Sequence, residues 1–351
     1  MKILVIQQKM IGDVLTSTII CELLKKNIAS CEIHYLINSG TEAVVQNNPF
    51  VDHIILFKPE FKENKFKFYQ FLRSINDYQF DIVIDVYRKV ESKLITLFSG
   101  ASKKISYKKL DSFLFYNRTI PYLKQDQNSD LAIQNRIQLL SPLVDQLPSN
   151  ISPKIYLNDS EILDANLFLE KHQINKLSPI YMISVLGSSL NKTYPFDYMV
   201  DVINKIASLG KCQILFNYIP SQKNDVTKII TQCNSLAQSF IKIDAYTTSL
   251  RCFLGVLSKC DALIGNEGGA VNMAKALSIP TFAIFSPWIR KEAWALFQNS
   301  INRSVHLNDY RKDLFESLSV KQIKENSNEL YKIFKPELFE KELELFLEQL
   351  D

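Results

Sequence analysis

Apolar residues recur along this chain in short continuous runs, each followed by a polar turn and then by a longer stretch with helical spacing. Residues 2–6 open with such a run. After the loop Gln7-Gln8-Lys9-Met10-Ile11-Gly12, Val14, Leu15, Ile19, Leu23 and Leu24 line one face of a predicted helix over residues 13–26. Phe80-Asp81-Ile82-Val83-Ile84-Asp85-Val86 is almost wholly apolar, as a central parallel strand must be when both faces are covered. Further strands are predicted at residues 32–37, 53–57, 179–185, 212–217, 262–264 and 281–285. Further helices are predicted at 126–140, 160–172, 196–208, 225–233, 270–277, 320–334 and 336–350. Strands alternating with helices indicate α/β domains built on parallel sheets.

The composition breaks at Ser141-Pro142, Pro148-Ser149-Asn150 and Ser152-Pro153. That break divides the chain into residues 1–159 and 160–320, with closing helices over 321–351. The last helix carries Phe339, Leu343, Phe346, Leu347 and Leu350 at helical spacing. Its stripe is expected to pack back on the N-terminal domain. A second copy and a membrane surface are the alternatives, although the Glu-rich face disfavours anionic lipid.

Chemistry concentrates in residues 261–288. Ala262-Leu263-Ile264 reads as a strand, Gly265-Asn266-Glu267-Gly268-Gly269 breaks it, and a helix follows from Ala270. A helix that starts on glycine presents unpaired N–H groups with no Cβ in the way, which is a site for phosphate, and Glu267 lies beside it. Length and charge narrow the class. At 351 residues with 46% hydrophobic content and a net charge of +4, the chain is a two-domain globular protein. It has no apolar run long enough for a membrane span and no signal-peptide pattern, so a cytoplasmic location is expected. Six cysteines without a C-x-x-C pair signal neither disulfides nor zinc. The histidines His34, His53, His172 and His306 lack ligand-like neighbours at helical spacing, so no metal and no cofactor is expected. Between Lys58 and Lys124, fourteen Lys/Arg face seven Asp/Glu among many aromatics. That imbalance favours an anionic partner, either a phosphorylated glycolipid or the inner leaflet of the membrane. No nucleic-acid recognition motif accompanies it.

Several of these stretches together resemble the bacterial heptosyltransferase family, glycosyltransferase family nine. Asn266-Glu267-Gly268-Gly269-Ala270-Val271-Asn272-Met273-Ala274, followed by Ala276-Leu277-Ser278-Ile279-Pro280, is similar to its nucleotide-sugar motif, with Glu267 standing at an Asp, Gly268 at a Ser/Thr and Asn272 at a His. Gly12-Asp13 resembles the family's opening Gly-Asp, whose Asp is the proposed base. By position alone Asp13 reads as a helix cap. Asn48-Pro49-Phe50-Val51-Asp52, Ser99-Gly100-Ala101, Lys192 with Tyr194-Pro195, and Thr247-Thr248-Ser249-Leu250 extend the likeness to about Trp294. Gln222 stands where the family often places a Glu on the donor's ribose.

The resemblance implies two Rossmann-like domains facing across a cleft (the GT-B architecture). It also implies metal-independent, inverting transfer of heptose or a similar sugar from a nucleotide-sugar, an ADP-sugar by the family's example, to lipopolysaccharide core or a related glycan. Asp13 would take the acceptor's proton. Gly187, Ser188, Lys192, Gln222, Glu267, Gly268, Gly269, Ala270 and Asn272 would hold the donor. Arg88, Lys89, Lys103 and Lys104 are the expected acceptor contacts. The departures leave a rival, a non-catalytic relative that kept the nucleotide-sugar pocket. A Rossmann dehydrogenase is disfavoured, since no G-x-G-x-x-G follows the first strand.

Overall fold

A computed structural model of the chain describes residues 1–123, 130–148, 150–316 and 318–350. The chain divides into two units, Met1–Tyr156 and Leu157–Asp351.

In the first unit six strands run parallel in the order β3-β2-β1-β4-β5-β6, where β1 is Lys2–Ile6, β2 Glu32–Asn38, β3 His53–Phe57, β4 Ile82–Asp85, β5 Lys103–Tyr107 and β6 Arg118–Ile120. The two most apolar runs, β1 and β4, take the centre, and the half-exposed β3 and β6 take the edges. The helix Ile11–Asn27 carries the chain from β1 to β2. A second helix, Lys65–Asp77, is capped by Asn64, whose side chain accepts from the amides of Phe66 and Lys67. Phe61, Phe68 and Phe71 meet the Phe57 ring edge-on at 5.5, 5.9 and 5.9 Å. Much of the aromatic content between Lys58 and Lys124 is therefore core and not a recognition surface. The helix expected over 126–140 is Leu131–Gln138. Lys124, residues 125–129 and Ser149 fall outside the described residues.

The second unit has a five-stranded parallel sheet ordered β11-β10-β9-β7-β8, with β7 Ile180–Ser184, β8 Gln213–Phe216, β9 Ala262–Asn266, β10 Thr281–Ile284 and β11 Asn302–Val305. The closing helices are Val320–Glu325, Ser327–Ile333 and Glu340–Leu347. Phe334, Phe339, Leu343, Phe346 and Leu347 are buried in the second unit's own core. Phe334 and Phe339 pack around the buried Tyr194 ring at 5.8 and 6.0 Å, and Phe346 lies 5.6 Å from Phe282 of β10. The Tyr194 hydroxyl donates to the Phe334 carbonyl at 2.5 Å, which satisfies its polar atom among those rings. Among the described residues no helix is long and apolar enough to cross a membrane.

Removing a fully buried aromatic typically costs about 3–5 kcal/mol. Phe346→Ala should therefore destabilise the second unit by about that amount. Both tryptophans of the chain, Trp288 and Trp294, lie in this unit, so urea unfolding followed by their fluorescence measures the loss. A cost under about 1 kcal/mol would place the helix outside the core.

Candidate active site

In a parallel sheet every strand ends on the same edge, and the loops leaving that edge are where open α/β sheets bind ligands. In the first unit, the loop after β1 places Asp13 at the third position of the Ile11–Asn27 helix. Its Oδ1 accepts from Arg136 Nη2 at 2.7 Å, and its Oδ2 accepts more weakly from the Met10 amide at 3.4 Å. Arg136 is buried and donates also to Ser17 Oγ at 2.8 Å and to the Ala132 carbonyl at 2.9 Å. One carboxylate oxygen is thus clamped. The other keeps capacity to accept a proton, and the side chain is about a quarter exposed, at 26%.

The four basic residues expected on an acceptor separate into three situations. Lys89 is exposed just beyond the carboxyl end of β4. Arg88 lies next to it but is buried, with φ +54, and its guanidinium donates to the Tyr107 carbonyl, to Ser112 Oγ at 3.0 Å and to Asp111. It builds the loop between β5 and β6. Lys93 also pairs with Asp111, and buried Asp85 accepts from the Arg88 amide at 2.9 Å and from the Tyr116 hydroxyl at 2.7 Å. Burial pushes the Asp85 carboxyl above its ordinary range. Lys103 and Lys104 open β5, pairing in register with Ile82 and Val83 at the start of β4. They sit at the amino edge of the sheet, opposite the edge that carries Asp13.

In the second unit the loops after β7, β9 and β10 converge. Asn266, the last residue of β9, is fully buried; its Oδ1 accepts from the Tyr194 amide at 2.6 Å and its Nδ2 donates to the Ser184 carbonyl at 2.9 Å. This side chain ties the Lys192 loop to the motif strand. Gly187 is needed where that loop folds on itself, since a Cβ there would lie 2.2 Å from the Lys192 carbonyl oxygen. Gln222 Nε2 donates to the Gly187 carbonyl at 3.2 Å, while Ser188 is exposed. Gly268 has φ +152, a conformation L side chains resist, and it caps the helix Gly269–Ala276. The first helical bond, Asn272 amide to Gly268 carbonyl, is long at 3.4 Å. The amides of Gly269 and Ala270 have no partner within the helix. Lys192 Nζ stands 3.7 Å from Glu267 Oε1 and 5.4 Å from the centre of the Trp288 ring. Burial pushes the Glu267 carboxyl up, and Lys192 offsets this in part.

Comparison with known proteins shows the family. The glycosyltransferase family 9 (heptosyltransferase) model matches residues 68–318. The chain belongs to glycosyltransferase family 9. It is 24% identical over 317 residues to lipopolysaccharide heptosyltransferase 1 of Campylobacter coli, covering 87% of this chain and 89% of the relative. Its fold matches the family 9 glycosyltransferase of Veillonella parvula with a TM-score of 0.73 at 19% identity, covering 97% of each chain. It also matches E. coli ADP-heptose lipopolysaccharide heptosyltransferase II, with a TM-score of 0.68 at 16% identity over 95% of this chain and 99% of the other. The family match begins after Asp13, so that residue's role rests on its geometry.

Two site residues were not visible in the sequence. Arg136 is 123 positions from Asp13, and no local pattern marks it. Lys324, on the helix Val320–Glu325, brings its Nζ within 5.0 Å of the Trp288 ring centre, so two lysines share one indole. Beside them opens a cavity of about 510 Å³ whose lining includes Leu190, Asn191, Lys321, Lys324, Glu325 and Asn328.

The Glu267 shift has a pH signature. Its folded-state pKa is raised, so the charged carboxylate destabilises the fold above that pKa, and the penalty vanishes below the ordinary value of 4.5. Glu267→Gln should raise Tm by a few degrees at pH 7 to 8, with the gain shrinking as pH falls toward 4.5. A gain independent of pH would place the effect elsewhere.

Proposed function

We propose that this chain transfers a sugar, heptose or one like it, from an ADP-sugar to a hydroxyl of lipopolysaccharide core or a related glycan, with inversion at the anomeric carbon. The observation that carries the reading is the placement of Lys192, 3.7 Å from Glu267, at the start of a helix opened by glycine whose first amides have no intrahelical partner, in a chain of this family. One relative of matching fold is an ADP-heptose enzyme.

In this reading Asp13 Oδ2 accepts the hydroxyl proton as the oxygen attacks the anomeric carbon, and the carbon–oxygen bond to the nucleoside diphosphate breaks on the opposite face. Lys192 and the amides of Gly269 and Ala270 stabilise the departing diphosphate, with Lys324 adding charge from the closing helix. Gly187, Ser188 and Gln222 border the donor, and Glu267 and Asn272 stand where the family's Asp and His would be. No divalent ion is assigned a step. Transfer that stops in EDTA and returns with Mg²⁺ would overturn this part.

Acceptor recognition is assigned to the carboxyl edge of the first sheet, to Lys89 and the loop after β5, and no longer to Lys103 and Lys104. In that loop Leu110, Phe113 and Leu114 are 98, 79 and 60% exposed. Lys108 and Lys109 precede them, and the Arg88–Asp111–Lys93 network anchors the loop. Apolar side chains held out next to lysines suit the interface of an anionic leaflet, the surface on which a glycolipid acceptor stands. The rival reading, a relative that binds nucleotide-sugars without turnover, draws on the Glu267 and Asn272 departures.

Three measurements test this. Asp13→Asn should lower kcat by about 10²–10⁴ with donor affinity nearly unchanged; retention of most of kcat would return Asp13 to a capping role, and a wild type without turnover on any nucleotide-sugar that raises its Tm would favour the rival. Lys192→Ala should weaken ADP binding by about tenfold or more, since charge-assisted hydrogen bonds contribute about 1.5–3 kcal/mol, and Lys324→Ala should weaken it less. Calorimetry with adenosine is the control, because equal loss for the uncharged nucleoside would show a collapsed loop. Leu110→Ser combined with Phe113→Ser should abolish most sedimentation with phosphatidylglycerol vesicles and leave turnover of a short soluble acceptor intact. Unchanged sedimentation would remove the loop from the membrane.

A further inference from the structure

The first sheet carries a second cluster of reactive side chains, remote from Asp13. Strand β2 places Glu32 and His34 two residues apart, hence on one face, and the parallel register sets His34 directly beside His53 of β3. Glu32 Oε1 lies 2.7 Å from His34 Nε2 and 3.3 Å from His53 Nε2, and one ligand atom from each of the three lies within 4.8 Å of the others. The His34 and His53 rings are 4.6 Å apart. His34 is 3% exposed, held edge-on by Tyr78 at 5.3 Å and Phe80 at 5.0 Å, and its Nδ1 is buried without a hydrogen-bond partner among the described residues. His53 is 57% exposed, so one side of the cluster is open to water.

We propose that Glu32, His34 and His53 form a site for a divalent transition metal of the zinc class, with water completing the coordination. Two imidazoles and one carboxylate are a set that suits zinc, nickel or copper far better than calcium or magnesium, which prefer all-oxygen shells. Bonds of about 2.0–2.2 Å in a tetrahedron put ligand atoms about 3.3 Å apart. The Glu32–His53 separation already has that value, and the half-exposed Glu32 carboxylate must withdraw only slightly from His34. Burial holds His34 below the usual imidazole range, so the ring is neutral and ready to ligate near pH 7. The hydrogen bond from His34 holds the Glu32 carboxyl low, and so ionised. Binding exchanges the His34–Glu32 hydrogen bond for two bonds to the metal, with no proton lost if His34 Nδ1 takes the one that leaves Nε2. The buried, unpartnered Nδ1 then becomes a donor that still lacks a partner, and the Lys2 charge acts on both Glu32 and His34. Both features limit the affinity. The cluster lies at the amino edge of the sheet, so the ion staples the edge strand β3 to β2 and takes no part in transfer.

The test uses the full chain without a histidine tag, stripped of metal and titrated with Zn²⁺ and with Ni²⁺ at pH 7.5. One ion per chain should bind by calorimetry and raise Tm. His53→Gln, an exposed change that leaves the core untouched, should weaken binding by about tenfold or more, a loss of the size seen even when only the outer partners of metal ligands are removed. Glu32→Gln should do the same, while His172→Gln in the second unit should change nothing. Absence of binding, or stoichiometric binding indifferent to His53→Gln and Glu32→Gln, overturns the proposal.

Discussion

A parallel strand delivers its carboxyl end to the same edge as its neighbours, and this single constraint decides which residues of each unit can share in chemistry. Once β1, β4 and β5 are parallel, Asp13, Lys89 and the Lys108–Phe115 loop must lie on one edge, and the start of β5 must lie on the other. A strand rises about 3.3 Å per residue, so the few residues of β5 separate Lys103 from that edge by more than a lysine side chain can recover. The same rule in the second unit collects Lys192, Glu267 and Trp288 although the loops that carry them follow three different strands.

Within the second unit the motif asparagine does structural work that its sequence neighbours conceal. Asn266 satisfies a buried amide and a buried carbonyl from the β7 side. Leaving such groups unpaired costs about 1–3 kcal/mol each, so Asn266 fixes the distance between the Lys192 loop and the glycine-started helix. The substituted positions beside it have no such duty: Glu267 keeps a carboxylate, Gly268 supplies the φ of +152 that the turn adopts, and Asn272 lies within the first turn of the helix. The backbone cradle therefore survives the three side-chain departures.

Much of this was legible in the sequence where physics is local. Continuous apolar runs marked β1, β4 and β9, and glycine after a strand marked the turn that opens the helix Gly269–Ala276. Strand β11, Asn-Arg-Ser-Val, was not legible because only its two end residues are buried. The partner of the terminal stripe was not legible either, since Phe339 and Phe346 meet Phe282 only after the chain has returned across the sheet. His34 and His53 escaped notice for a different reason. Their relation is a strand register, which helical spacing cannot reveal. Arg136 and Lys324 are the same case over longer separations, lone cations whose meaning comes from what the fold sets opposite them.

Those two cations differ in a way that bears on catalysis. Arg136 is buried, and each of its three nitrogens donates to a fixed partner, so its charge is committed to orienting Asp13. Lys192 stands at 3.7 Å from Glu267, beyond a good hydrogen bond, over an aromatic face that attracts cations without binding them in one geometry. A diphosphate arriving at the helix would compete for this lysine against a carboxylate that burial already disfavours as an anion. Glu267 is then a weak competitor, and it becomes weaker still as a second anion approaches and favours its protonation. Asp13 is held by a fixed partner, whereas Lys192 is placed to change partners.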